Sequence, residues 1–290
     1  MSSVFSSVSG WLTIHRAAGS GYREVPAALP PEAVSFRQEV ERRARLDAGF
    51  RIWNGARWYL RSFRIAGRRL VLEFGPSDYW NFRATSANLD RPFWKNGQEV
   101  TLRRLYLDGR DLSAVPVAFL AHSFGLVLAV VTADGFLVFQ RRSPEVWTRA
   151  GVLTLGVNEG LERPADADAS GAPDFHRAAR RGVYEELGPL AGEALRRLEF
   201  FSFGVDLEGY QHVLLGVVEL NLILEELLAS RISAPDAWEG ELVAVPLDRA
   251  SFARFVCEHT IWAPAALACA EEALLALLGP AISGLRGIPG

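Results

Sequence analysis

Two adjacent carboxylates, Glu185 and Glu186, have the type and spacing in this chain that most clearly suggest chemistry. Apolar residues recur at every fourth position through the same stretch: Ala179, Val183 and Leu187. This period predicts a helix over residues 175–187 that ends at Gly188-Pro189, with the carboxylates side by side away from the apolar stripe. Neighbouring carboxylates repel each other, and a divalent cation between them relieves the repulsion, whereas a solvated surface pair is the alternative.

The segment Arg-Gly-Val-Tyr-Glu-Glu-Leu-Gly, which ends at Gly188, resembles the second half of the Nudix box. That family signature is Gly, five residues, Glu, seven residues, Arg-Glu-aliphatic-x-Glu-Glu-x-Gly-aliphatic. The matching residues are Arg181, Val183, Glu185, Glu186 and Gly188, with Leu190 one place late after Pro189. Gly182 departs from the pattern, because the family has there a glutamate that often binds metal or acts as a base. The resemblance covers about residues 115–260.

Upstream, Leu-Gly-Val-Asn-Glu-Gly (residues 155–160) resembles the glycine-rich start of the box, with Gly156 as the leading glycine and Glu159 as the upstream carboxylate. The distance from there to the helix is longer than in the family. Residues 161–174 carry almost no bulky apolar side chain, so they are predicted to form an inserted surface loop. Asp174 is placed to cap the helix, and a plain loop acid is the alternative.

A β-hairpin is predicted before the box, with its turn at Ala133-Asp-Gly135. The strands predicted in this region are residues 117–122, 126–132 and 136–140. Arg141 and Arg142 follow, and the run resembles the strand, turn and strand that precede the Nudix box and end in an arginine that often faces substrate. An arginine fork suits diphosphate oxygens, and an arginine with only a surface role is the alternative.

Further elements are predicted after the box helix. They are strands at residues 198–205, 212–220 and 242–245 and helices at residues 221–230, 252–259 and 264–278. Glu239 and Glu241 lie in a segment similar to the family's late strand, where an acid often serves as an extra metal ligand or base. The last helix is rich in alanine and leucine and is expected to be a packing or oligomer surface, which leaves a homodimer as an option.

The composition is that of an ordinary globular protein: of the 290 residues of the chain, 22% are charged and 49% are hydrophobic. A net charge of −3 gives no reason to expect bulk attraction to nucleic acid or to an anionic membrane. Its two cysteines lack metal-ligand spacing and suit a reducing interior, so a cytoplasmic location is expected. We expect no membrane association, since the sequence shows neither a signal peptide nor a sufficiently long apolar run.

The region before residue 115 has a different texture, with a helix predicted over residues 31–47 and a hairpin over residues 58–74. Arginines crowd this region: 37, 42, 43, 45, 51, 57, 61, 64, 68 and 69. Interleaved with Trp53, Trp58 and Tyr59, they could form a surface for nucleic acid or for a nucleotide. The preferred interpretation is a solvated face, because acidic residues offset part of the charge.

The sequence therefore predicts an α+β protein of two domains: residues 1–114, a mixed accessory domain, and residues 115–290, a Nudix fold with a mixed sheet between helices. The resemblance implies hydrolysis of a nucleoside diphosphate linked to another group, by attack of water at phosphorus with Mg²⁺ or Mn²⁺. It implies that Glu185, Glu186 and Glu159 hold metal and that Arg181 orients them. Arg142, Arg141 and Gly156 would contact the substrate, which is expected to be a small molecule and not a nucleic acid.

A degenerate Nudix domain is the competing hypothesis. Such a domain would bind a nucleotide or a protein partner without hydrolysis, and Gly182 is its main support.

Overall fold

The fold is of the mixed α+β class in the computed structural model, which describes residues 11–15, 18–46, 54–66, 69–112, 115–146 and 148–279. The strands are β1 (Trp11–His15), β2 (Ala18–Tyr22), β3 (Ala56–Ala66), β4 (Arg69–Asp78), β5 (Phe93–Lys95), β6 (Gln98–Val100), β7 (Phe124–Val131), β8 (Phe136–Arg142), β9 (Leu153–Leu155), β10 (Val157–Gly160), β11 (Leu195–Asp206), β12 (Gln211–Leu220) and β13 (Gly240–Pro246). The helices are α1 (Pro31–Leu46), α2 (Tyr79–Ala84), α3 (Leu102–Tyr106), α4 (Phe175–Leu187), α5 (Pro189–Glu193), α6 (Leu224–Arg231), α7 (Arg249–Glu258) and α8 (Pro264–Leu278). Short 3-10 turns cover Ser86–Asn88 and Ala237–Glu239. None of these helices is long and apolar enough to span a membrane.

The largest sheet has the strand order β1-β11-β12-β7-β8-β13, with β10 paired to β7 and β9 paired to β8. Strand β8 is antiparallel to both β7 and β13, and Arg142 lies opposite Gly240. A second sheet has the order β2-β4-β3, in which β2 and β4 are parallel. The mixed pairing and the separate helices define the α+β class that the sequence predicts.

The described residues group into two compact units. The first contains the described residues up to Leu126 together with Glu159–Arg181 and Ser202–Leu214, and the second contains the described residues of 127–158, Gly182–Phe201 and the described residues from Leu215 onward. Helix α4 contributes its residues through Arg181 to the first unit and the rest to the second. The predicted boundary at residue 114 stays a prediction.

Most of the predicted elements are confirmed, including α1, the β3–β4 hairpin, α4 and α8. The strand predicted for residues 117–122 is wrong. That segment forms consecutive turns, in which the N–H groups of Leu120 and Ala121 donate to carbonyls three residues earlier. Burial of Val117 and Leu120 in these turns produces the same apolar pattern as a buried strand, so the pattern alone could not separate the two.

The predicted turn between β7 and β8 is confirmed, and short side chains hold it. The Thr132 hydroxyl donates to the Asp134 carboxylate at 2.6 Å and accepts the N–H of Phe136 at 3.0 Å. Gly135 has a φ of +81°, a conformation that glycine adopts without strain. The hairpin therefore has a fixed register where it delivers Gln140, Arg141 and Arg142.

Helix α8 packs against strands of the second unit through Cys269. The Cys269 thiol is fully buried and donates to the carbonyl oxygens of Val127 and Gly216 at 3.2 and 3.3 Å. Burial raises the pKa of this thiol well above its ordinary value. Helix α8 thus packs its small residues against the sheet of its own unit.

The first unit buries an imidazole, His212, in an aromatic cluster. Its ring stacks on Phe203 with centroids 5.9 Å apart and meets the edge of Tyr210 at 5.1 Å. Both ring nitrogens are buried and have no hydrogen-bond partner in the described part of the chain. Burial lowers the pKa of His212 from 6.5 to about 3, because the charged form would lose its hydration.

We expect His212→Phe to reduce the acid sensitivity of the fold. The folded pKa lies below the unfolded value, so the stability contributed by the neutral ring is complete above the unfolded pKa of 6.5 and is lost as the pH falls toward 3. Between pH 7 and pH 5 the free energy of unfolding should fall by about 2 kcal/mol less in the variant than in the wild type. Urea denaturation at both pH values measures this difference. The exposed His176→Phe should keep the wild-type pH dependence, and parallel pH profiles for all three proteins would contradict the expectation.

Candidate functional site

Helix α4 carries the predicted site, and both of its ends are fixed. The Asp174 carboxylate accepts the N–H groups of His176 and Arg177, each at 3.0 Å, so the predicted cap is confirmed. At the other end Gly188 has a φ of +97°. The fully buried Ala179, Val183 and Leu187 form the predicted apolar stripe. The cap, the apolar stripe and the glycine after the last turn of α4 therefore lie where the sequence predicts them.

Arg181 is bound to acids of the first unit. Its guanidinium donates to both carboxylate oxygens of Asp166, at 2.9 and 2.8 Å, and to the carbonyl oxygen of Gly160 at 2.9 Å. It also lies 3.2 Å from the Glu159 carboxylate. Arg181 is predicted from the sequence to orient metal-binding carboxylates. Its contacts instead join α4 to the segment that precedes the helix.

The segment of residues 161–174 is more than the predicted surface loop, and that prediction is wrong in part. Leu161, Asp166 and Ala172 are buried, and Asp166 is fully so. A buried carboxylate requires compensation, and Asp166 receives it from Arg181 and from the Glu162 N–H at 2.7 Å. Composition gave no sign of this, because a single buried acid anchors the segment instead of an apolar cluster.

Glu186 lies in the interior of the second unit, with 3% of its surface exposed. Its carboxylate accepts a hydrogen bond from the Gln140 amide at 3.1 Å and lies 3.6 Å from Arg231 Nη1. Its neighbour Glu185 is half-buried, and the Glu185 carbonyl accepts the Asp236 N–H at 2.9 Å. Successive residues of a helix point about 100° apart, which explains why the two carboxylates have different surroundings.

The two arginines at the end of β8 also differ. Arg142 is buried, donates to the Thr148 carbonyl at 3.0 Å and lies 3.4 Å from Glu239. Burial raises the pKa of Glu239, and Arg142 partly offsets that effect. Arg141 is half-buried, and its side chain makes no hydrogen bond or ion pair with the residues that the structure describes. Successive strand residues face opposite sides of a sheet, so the side chains of Arg141 and Arg142 leave β8 on opposite sides.

Gly156 is explained by packing. Its N–H donates to the Val138 carbonyl at 3.0 Å, and a Cβ added there would lie 3.2 Å from the same oxygen. Glycine allows this close approach of the chain to β8. Gly182 is buried within α4.

These residues do not fit a magnesium or manganese ion as they are arranged. Within the described ranges, no group of three or more histidine, cysteine, aspartate or glutamate side chains is placed to hold a metal. Glu159 and Glu186 each lie against an arginine that balances their charge. Such carboxylates would have to lose an arginine partner before they could bind a cation. The predicted cofactor therefore stays a prediction.

Sequence reasoning missed four residues of these clusters: Asp166, Gln140, Arg231 and Glu162. A signal existed for Glu162, which follows Gly156 at the family's spacing and is paired with Arg57. The other three are isolated polar residues whose partners are distant in the chain, and no local pattern marks them.

Several arginines in the arginine-rich part of the first unit are paired with acids, among them Arg43 and Arg57. Arg37 binds both oxygens of Asp78, at 2.6 and 2.8 Å, and also Glu41. Trp58 and Tyr59 are buried and so present no face on which a base could stack. Arg51, Arg68 and Trp53 lie outside the described residues.

Comparison with known proteins adds little. No family model matches the chain, and no curated protein matches it. Among solved structures, the chain is similar to DR0079 from Deinococcus radiodurans, with 12% sequence identity and a TM-score of 0.35 over 49% of this chain and 76% of that one. A likeness this low supports no argument about fold family or function.

Proposed function

We propose that this chain contains a degenerate Nudix-type domain that binds a nucleoside diphosphate-type ligand without metal-dependent hydrolysis. The resemblance of the box segment supports the family and the class of ligand. The mixed α+β architecture is compatible with it. The burial of the Glu186 carboxylate next to Arg231 supports the absence of hydrolysis.

The observation that carries this proposal is the burial of Glu186 between Gln140 and Arg231. Mg²⁺ keeps several of its coordinated water molecules when it binds, so it needs carboxylates in a site with room for those waters. Removing Arg231 from Glu186 would break a buried ion pair, at a cost of about 3–5 kcal/mol. Gly182 removes a further carboxylate that the family pattern would supply.

Arg141 is the proposed contact for the ligand's phosphate groups. It lies at the end of a strand with a fixed register, and its guanidinium is not committed to another described residue. A planar guanidinium can form two parallel hydrogen bonds to phosphate oxygens. Arg142 would instead balance the negative charge of Glu239, with which it forms an ion pair.

Calorimetric titration with ADP and ADP-ribose, with and without Mg²⁺, tests the proposal. We expect binding that does not depend on the metal and no product by chromatography. Arg141→Gln should weaken binding about tenfold, the effect of about 1.4 kcal/mol. The exposed Arg254→Gln on α7 is a matched control and should bind like the wild type.

Two results would overturn the proposal. Mg²⁺-dependent product formation that is lost in Glu186→Gln would establish the hydrolase that the sequence first predicts. Failure of every nucleoside diphosphate compound to bind would instead favour a protein partner.

A further inference from the structure

Arg231, the last residue of α6, is enclosed by oxygen atoms of the second unit. It is 7% exposed. Its Nη2 donates to the carbonyl oxygens of Asp236, Ala237 and Gly240, at 3.0, 3.2 and 3.1 Å. Its Nη1 donates to the carbonyl oxygen of Glu186 and lies 3.6 Å from the carboxylate of the same residue.

This set of oxygens is chemically a cation site. Four backbone carbonyls and one carboxylate converge on a single positive group. Hard divalent cations prefer the same ligands, since backbone carbonyl and carboxylate oxygens supply most of their coordination in proteins. Five oxygens directed inward would repel one another unless a positive charge lay among them.

We infer that the Arg231 guanidinium occupies this position as a built-in cation and thereby excludes divalent metal from Glu186. The inference rests on the proposed function, because it names the residue that makes the domain independent of metal. Arg231 is a positioning residue in this scheme. It lies beside the Glu186 carboxylate and joins the carbonyl groups of Asp236 and Ala237 to the carbonyl group of Glu186 at the end of α4.

A buried neighbour supports the assignment. The side-chain oxygen of Gln140 is buried and has no hydrogen-bond partner in the described part of the chain, while its amide donates to Glu186. Once the arginine is removed, the four carbonyl oxygens and the Glu186 carboxylate lose the donors that it supplies, next to this buried acceptor. Acceptors without donors are the environment in which a cation is stabilised.

The test compares Mn²⁺ binding, by electron paramagnetic resonance, in wild type, Arg231→Met, Arg231→Lys and Glu186→Gln/Arg231→Met. We expect wild type and Arg231→Lys to leave millimolar Mn²⁺ free. Arg231→Met keeps the length of the side chain but loses its charge, and should bind Mn²⁺ at least about tenfold more tightly than wild type. Its melting temperature should rise with Mn²⁺ by at least about 2 °C. The double variant should lose both effects, because the carboxylate is gone.

The outcomes separate this inference from the proposed function. Folded Arg231→Met without a gain in Mn²⁺ affinity would overturn the inference and leave the proposed function intact. Wild type that binds Mn²⁺ through Glu186 as tightly as Arg231→Met would also overturn it, and product formation with metal would overturn the proposed function as well.

Thermal melts cover the case in which Arg231→Met folds but is too unstable for the Mn²⁺ titration. If Arg231 balances the charge of Glu186, the double variant should melt at a higher temperature than Arg231→Met alone, since it carries no unpaired carboxylate. A double variant as unstable as the single one would show that Arg231 acts only through the carbonyl groups, which contradicts the inference.

Discussion

Asp166→Ala should lower the free energy of unfolding by about 3–5 kcal/mol, the usual cost of removing one partner from a buried ion pair. Asp166 is fully buried, and both of its carboxylate oxygens accept hydrogen bonds from Arg181. The change would remove two hydrogen bonds of the Arg181 guanidinium, whose side chain is 15% exposed, and would open a cavity beside it. It would also free the Glu162 N–H. Urea denaturation of the variant and the wild type measures the loss.

The matched control is Arg43→Ala, which removes an exposed ion pair with Glu39 on α1. Pairs of this kind contribute about 0.3–0.5 kcal/mol. If Asp166→Ala cost no more than this control, Asp166 would not be the residue that anchors the segment of residues 161–174. Asp166→Asn should be intermediate, because the amide fills the space and accepts one hydrogen bond.

Gly188→Ala should be the most destabilising single-methyl change in the second unit, with a loss of at least about 3 kcal/mol. A φ of +97° is a conformation that other residues rarely adopt. The added Cβ would overlap the carbonyl oxygen of Ser230 and would lie 2.6 Å from its hydroxyl oxygen. The chain must therefore move at the junction of α4 and α6.

Gly192→Ala is the control, since the same methyl group enters α5 at 3.6 Å from Tyr184 Cβ, an ordinary contact distance. Alanine is a better helix former than glycine, so this variant should gain about 0.5–1 kcal/mol. Thermal melts of the two variants should thus move in opposite directions. Equal shifts would show that the backbone at Gly188 relaxes without cost.

Local elements could be predicted because their causes lie within a few residues. The four-residue apolar period defined α4, and Asp174 capped it where the sequence placed the cap. The turn at Gly135 likewise needs only its own neighbours. The residues 117–122 show the limit, because a buried turn and a buried strand require the same apolar side chains.

The surroundings of the candidate site could not be predicted, because its partners are distant in sequence. Glu186 pairs with Arg231, which lies 45 residues later, and Gln140 lies 46 residues earlier. No periodicity links such positions, and their pairing depends on how α6 and β8 pack around α4. The adjacent glutamates were correctly identified as residues of one helix, whereas the burial that separates Glu186 from Glu185 is a property of the tertiary fold.

The anchoring of residues 161–174 has a consequence for proteolysis. A loose insertion is cut by proteases through local fluctuations that leave the rest of the fold intact. Here Leu161, Asp166 and Ala172 are buried, so the backbone around them can enter a protease active site only after the surrounding core opens. Cleavage beside these three residues should therefore follow the population of the opened protein. In this respect the buried residues of the segment belong to the cooperative unit of the fold.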